Sequence, residues 1–108
     1  MTGNKELSHI VGDTFKYSIK LFDATGKQLI PRKLVFTCVA LDLERNFVRK
    51  GDEWEVIFSA EETETWKPRV TTYDITAVFS QIVISQTGIL FRILKKNNPL
   101  IEQGERHG

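Results

Sequence analysis

Alternation of apolar and polar positions runs through most of this chain and predicts a series of short β-strands. Residues 14–21 put Phe15, Tyr17, Ile19 and Leu21 on one face and Lys16, Ser18 and Lys20 on the other. That is the period of a half-buried strand with one wet face. Residues 33–41 are apolar at nearly every position, as expected of a strand covered on both sides, with Leu34, Phe36, Cys38 and Ala40 sharing a face. The charged run 42–46 fits a hairpin tip, followed by a short strand over 47–49. Residues 53–58 alternate again, with Trp54, Val56 and Phe58 inward. From 70 to 79, Tyr73, Ile75, Ala77 and Phe79 share a face. Ser80-Gln81 then gives a tight connection to a strand over 82–85, and Ile89, Phe91 and Ile93 mark a closing strand over 89–94. Gly88, isolated inside this pattern, predicts a bulge or a close backbone approach.

Turn chemistry separates these runs. Gly12-Asp13 precedes the first strand, Asp23 to Gly26 makes a turn with glycine available for positive φ, and Lys50-Gly51-Asp52 makes another. Pro31 places Leu29 and Ile30 in a connection or on an edge. The stretch 56–75 holds the one helical signal. Ser59 followed by Glu62 is a capping box, and Glu61 and Glu62 place negative charge where the helix dipole favours it. Ala60, Thr63 and Trp66 recur at spacing three and are expected on a core-facing side, and Pro68 ends the turn.

About seven short strands with regular turn signals predict an all-β domain, a β-sandwich or small barrel with one short helical turn. Residues 1–9 are expected to be a flexible arm, 10–95 the domain, and 96–108 a polar tail. The length of 108 residues fits one domain, and 41% apolar with 27% charged residues is ordinary for a globular chain. Fifteen basic against fourteen acidic side chains give no general pull toward nucleic acid or membrane. One cysteine excludes an internal disulfide. The first residues hold no apolar signal segment, so synthesis and folding are expected in a cytoplasm.

Catalytic chemistry finds no foothold in the residue pattern. His9 and His107 lie in or beside the tails without a second ligand at suitable spacing. Cys38 falls on an apolar strand face and is expected to be an inert core thiol. Asp52, Glu53, Glu55, Glu61, Glu62 and Glu64 lack the ligand spacing and central glycine of a calcium loop, and fit a solvated face. Trp54 and Trp66 could stack on a sugar, but both fit core-facing positions. Lys27, Arg32, Lys33, Arg45, Arg49 and Lys50 could meet on one rim, without the interleaved aromatics of a nucleic-acid surface.

Gly12-Asp13-Thr14-Phe15 opening an alternating strand, with the turn from Asp23 to Gly26, resembles the start of small immunoglobulin-like domains of tailed phages and prophages. The N-terminal domain of the phage baseplate upper protein belongs to that group. Ser59, Glu62, Thr63 and Trp66, then Pro68, then Tyr73-Asp74-Ile75, are similar to the group's capped turn and following strand. Gly88 with Ile89, Phe91 and Ile93 is similar to its closing strand. The resemblance implies an immunoglobulin-like β-sandwich of antiparallel strands. It implies a structural component of a virion, in the tail or baseplate, with no catalytic residues and no cofactor. Ser59, Glu62, Trp66, Pro68, Tyr73, Asp74 and Gly88 are then structural motif residues.

On that reading the partners are further copies of the chain, in a cyclic oligomer, or other virion proteins. Nucleic acid, membrane and small-molecule substrates are not expected. The alternative is an immunoglobulin-like binding module that recognises a glycan or a surface protein through its loops. Charge segregation, with six acids and no base between Asp52 and Glu64 and mainly bases between Lys27 and Lys50, is expected to favour complementary docking between copies.

Overall fold

The computed structural model describes residues 6–95. In chain order the strands are β1 (Leu7–Ile10), β2 (Phe15–Ile19), β3 (Leu21–Phe22), β4 (Gln28–Leu29) and β5 (Lys33–Cys38). They continue with β6 (Leu43–Asn46), β7 (Val48–Lys50), β8 (Glu53–Phe58), β9 (Arg69–Val78) and β10 (Val83–Leu94). A 3-10 turn over Val39–Leu41 follows β5, and one helical turn, α1 (Ala60–Thr63), joins β8 to β9. The fold is all-β, as the alternation predicts. Its strands make a five-stranded sheet in the order β1-β10-β9-β5-β6, a three-stranded sheet β2-β8-β7, and the pair β3-β4.

The two larger sheets share one core. Phe15, Tyr17, Trp54, Val56 and Phe58 from the three-stranded sheet meet Leu34, Phe36, Tyr73, Ile75, Ala77, Phe91 and Ile93 from the five-stranded one. Aromatic rings carry most of the contact. Phe36 stacks on Tyr73 at 5.3 Å between centroids, and Phe15 approaches Phe91 at 5.6 Å across the sheets. Rings of this size dominate core energetics and prefer such offset and tilted arrangements. Both indoles, Trp54 and Trp66, lie in this core. The predicted inward faces of residues 14–21, 53–58 and 70–79 are thus the observed ones, with Ile19 and Phe79 only partly buried.

Several expectations are corrected. The arm assigned to residues 1–9 does not extend past Glu6 among the described residues, because Leu7 to Ile10 form β1, parallel to β10 with Leu7 opposite Phe91. Leu7 and His9 face the core and Ser8 and Ile10 face out. Four residues are too few for periodicity to reveal, and their hydrogen-bond partners lie more than eighty positions away. Among the described residues one strand pair is therefore parallel, and ten strands stand where about seven are expected. The remainder of the arm and the tail assigned to 96–108, including His107, lie outside the described residues.

Other differences come from where the chain bends. The expected hairpin tip at 42–46 holds β6, and Phe47 is no strand residue: its side chain is buried while its N–H donates to the Leu34 carbonyl at 2.7 Å. The apolar run 33–41 stops being a strand at Cys38. Val39 is 80% exposed and Ala40 is exposed, because Asp42 takes a left-handed conformation (φ 56°) and turns the chain back into β6. The strand expected over 14–21 breaks at Lys20 into β2 and β3. The strands expected over 82–85 and 89–94 are one, β10, with the register shift between Gln86 and Ile89 and Gly88 at φ 72°. Gly88 thus makes the bulge its pattern predicts.

Cys38 is completely buried. Its thiol donates to the Thr72 carbonyl at 3.5 Å, and burial pushes its pKa up. We expect it to react with a thiol reagent far more slowly in the native protein than after unfolding. Labelling at the rate of a free peptide thiol would overturn the register of β5, since a slip by one residue turns Cys38 outward.

Candidate functional site

The motif residues fall into two places, and the first is the turn after β8. The Ser59 hydroxyl accepts from the Glu62 N–H at 3.1 Å, and the Ser59 N–H donates to the Glu62 carboxylate at 2.8 Å. This is the reciprocal capping box of the sequence, and it frees α1 of two unpaired amides. The same carboxylate holds Arg45 of β6 through both oxygens, with Nη1 to Oε1 at 3.0 Å. Arg45 also donates to the Ile57 carbonyl at 2.8 Å and covers the Phe58 ring at 4.3 Å. A guanidinium suits this position because its planar fork can grip a carboxylate while its face lies on an aromatic ring. The Arg45 hydrogen bonds, with the Ser59 amide second, hold the Glu62 carboxyl down to about 2, against an ordinary value of 4.5.

A depressed carboxyl pKa stabilises the fold above the unfolded-state value and loses that contribution as pH falls toward the folded-state value. We therefore expect the melting-temperature advantage of the wild type over Glu62→Gln to be full above about pH 4.5 and to vanish near pH 2. Glutamine can still serve the capping box, so the comparison isolates the charge. An advantage that does not change with pH would mean that Arg45 gains nothing from the charge on Glu62.

Thr63 and Trp66 carry the turn into the core. Thr63 is fully buried, accepts from the Gly12 N–H at 3.0 Å and donates to the Asp13 carbonyl at 2.7 Å. Trp66 meets Phe58 at 5.5 Å, Phe15 at 5.9 Å and the His9 ring at 5.8 Å. His9 Nε2 donates to the Asp13 carbonyl at 2.8 Å. The turn thus ties β8 and β9 to the β1–β2 connection. Ala60, expected on the inner side at spacing three from Thr63, is exposed, since one short turn presents only Thr63 and then Trp66 inward. Pro68 is exposed just before β9.

The second place is the bulge. Asp74 Oδ1 accepts from the Gly88 N–H at 2.9 Å, satisfying an amide that the bulge removes from the ladder. Tyr73 lies beside it in the chain but points into the core, where its hydroxyl is 3.2 Å from that of Tyr17. Burial raises the pKa of both phenols, so the pair stays neutral and bridges the two sheets. Sequence reasoning missed Arg45, Tyr17 and His9 as partners of the motif. Each belongs to a different strand from the residue it serves, and no local spacing signals that.

The charged stretches answer each other inside the molecule. Lys16 and Lys50 both contact Glu55, at 3.2 and 3.3 Å, and Lys20 contacts Asp52 at 3.3 Å. With Arg45 on Glu62 and Arg49 Nε on the Gly51 carbonyl, Arg45, Arg49 and Lys50 of the basic rim and Asp52, Glu55 and Glu62 of the acidic stretch are engaged internally. The expected solvated acidic face is therefore only partly such: the Glu55 side chain is 10% exposed. Part of the charge segregated in sequence is thus paired in space, because β7–β8 is a hairpin and β2 lies against β8.

Two surface grooves among the described residues are shallow. One of about 240 Å³ runs past Arg45, Val48, Lys50, Glu55 and Ile57, and another of about 280 Å³ past Ala40, Asp42, Lys67 and Arg69. Both are below the usual size of a small-molecule site, about 300–1,000 Å³. Exposed apolar side chains gather instead at the end of the β9–β10 hairpin. Ile82, Val83 and Ile84 are 58%, 62% and 37% exposed, with Val78 opposite Val83. Among the described residues no helix is long and apolar enough to cross a membrane.

No protein-family model matches the sequence, and no curated protein matches it. The fold is similar to part of an endo-β-1,4-mannanase from Thermotoga petrophila, with a TM-score of 0.60 and 9% identity. The match covers 86% of this chain and 18% of the mannanase chain, so it concerns one small unit of a much larger protein. At that identity the likeness is one of fold alone.

Proposed function

We propose that this chain is an immunoglobulin-like β-sandwich that works without catalysis, as a contact module of a tailed-phage or prophage particle. The observation that carries the contact reading is the exposed apolar end of the β9–β10 hairpin, next to a surface whose grooves are shallow. The polar groups with shifted pKa values are engaged in structural roles: Glu62 with Arg45, Glu55 with two lysines, Tyr17 with Tyr73, and Asp23 within its own turn. Support for the sandwich comes from the aromatic core between the two larger sheets. The phage setting rests on the sequence resemblance, whose motif residues Ser59, Glu62, Trp66, Tyr73, Asp74 and Gly88 hold the turn, the core and the bulge.

On this reading the protein is synthesised in the host cytoplasm and ends in the virion, at the tail or baseplate, bound to copies of itself or to other particle proteins. Sugar stacking on an indole face is disfavoured, because both tryptophans of the chain are buried. The decisive experiment is binding of the purified chain to the purified tail and baseplate proteins encoded beside it, with immunogold labelling of particles. Saturable binding and labelled tails are expected. No binding to any of them, together with a reproducible hit on a glycan array, would replace this reading with that of a carbohydrate-binding module.

A further inference from the structure

We propose that the outward face of the five-stranded sheet, centred on β5 and β9, is a self-association surface that packs face to face on the same surface of a second copy of this chain. The inference rests on the reading of the chain as a contact module and says which surface makes the contact.

Register decides what this face presents. Leu34, Phe36, Ile75 and Ala77 point into the core, so the residues between them on β5 and β9 point out. Residues directly opposite one another share a face, and the outward ones fall into three successive rows. The first is Lys33, Val78 and Val83. The second is Asn46, Val35, Thr76 and Ser85. The third is Glu44, Thr37 and Asp74. One end of the face therefore carries a cation, the middle carries no charged residue, and the other end carries two acidic residues. Lys33, Glu44, Asn46 and Ser85 are exposed. Asp74 Oδ1 is taken by the Gly88 N–H, which leaves its other oxygen to face outward.

This pattern is its own complement. Lys33 and Thr37 stand at equal spacing on either side of Val35, as Val78 and Asp74 do on either side of Thr76. A two-fold axis lying in the interface along the middle row, perpendicular to the strands, exchanges the two end rows. It sets the cationic end of each copy over the acidic end of the other. Lys33 then arrives over Thr37 of the second copy, with Glu44 and Asp74 of that copy on the neighbouring strands, about 4.8 Å to either side. In the middle row, Val35, Thr76 and Ser85 are small enough for two sheets to approach to the usual packing distance of about 10 Å.

The outward face of the three-stranded sheet offers no such match. There Lys16 and Lys50 are spent on Glu55, and Lys20 on Asp52. Lys33 and Glu44, by contrast, have no ion pair among the described residues. A contact made in this way is isologous, so association closes at two copies. The rows span only four strands, which puts the interface in the small class, below about 1,200 Å² in total, and makes it a concentration-dependent equilibrium. Because opposite charges meet near solvent, added salt should weaken it.

Light scattering coupled to size exclusion, on the full chain across a wide concentration range, tests this directly. The expected result is a rise in mean mass from one copy toward two at low salt, reversed at high salt. Lys33→Glu and Glu44→Lys, both at exposed sites, should melt like the wild type and stay monomeric when alone, since each sets like charges against one another twice. An equimolar mixture of the two should recover association. In the mixed pair the introduced glutamate faces the introduced lysine, and the unchanged Lys33 faces the unchanged Glu44. A wild type that remains monomeric at every concentration overturns the inference. So does a dimer that both single variants retain, or a mixture that associates no better than its components. If the wild type is monomeric yet binds a purified tail protein, this inference fails and the contact-module reading stands. If it neither associates nor binds any tail or baseplate protein, both fail.

Discussion

Trp66→Ala should lower stability by about 3–5 kcal/mol, the range for removing a large buried aromatic. Trp66 is 5% exposed, and its ring contacts come from both larger sheets: Phe15 of β2, Phe58 of β8 and Phe91 of β10, with His9 of β1 beside them. Deletion would leave a void bounded by four elements that cannot all move inward together. In a domain of this length, 1 kcal/mol shifts the melting temperature by about 4–8 °C, so the loss should exceed about 10 °C. Thermal melting followed by circular dichroism is sufficient to measure it. A variant that melts with the wild type would put the ring outside the core and return Trp66 to the role of a recognition residue.

Thr63→Val should cost about 1–3 kcal/mol, although the two side chains have nearly the same shape. The hydroxyl serves two backbone groups from the β1–β2 connection, the Gly12 N–H and the Asp13 carbonyl. Valine leaves the Gly12 donor without this acceptor in a partly buried place. An unmade buried hydrogen bond costs more than a made one contributes. Chemical denaturation gives the free-energy difference, and amide exchange locates it: Gly12 should exchange faster in the variant. Thr63→Ser keeps the hydroxyl and should hold the Gly12 amide near wild-type protection. Equal stability of Thr63→Val and the wild type would mean that packing alone joins the turn to the first strands.

These two residues explain why a four-residue helix matters to a β-protein. The capping box fixes where α1 starts, and that start sets which side chains of the turn point inward. Thr63 then fastens the turn to the chain's first strands and Trp66 fills the space between the sheets. Arg45 clamps the turn from outside by gripping Glu62 and lying over Phe58. The hairpin end with Ile82 and Val83 lies outside this network. That is consistent with its use as a contact surface, since a substitution there need not disturb the core.

Much of this molecule was determined by the sequence alone, wherever the physical cause is local. Alternation with period two identified the inner faces of β2, β8 and β9, because successive side chains of a strand point to opposite sides. The capping box, the Asp23 turn and the Gly88 bulge were legible for the same reason: each needs particular residues at fixed short offsets. Tertiary structure alone decided the remainder. It made β1 from a segment with too few residues to show a period, by giving it β10 as a parallel neighbour. It turned Val39 and Ala40 outward at the end of an apolar run, because the chain reverses there. It paired Glu62 with Arg45, Tyr73 with Tyr17, and the acidic stretch with lysines from β2 and β7. How far β1 reaches along β10, opposite Phe91 to Leu94, is likewise a property of the assembled sheet that no window of sequence contains.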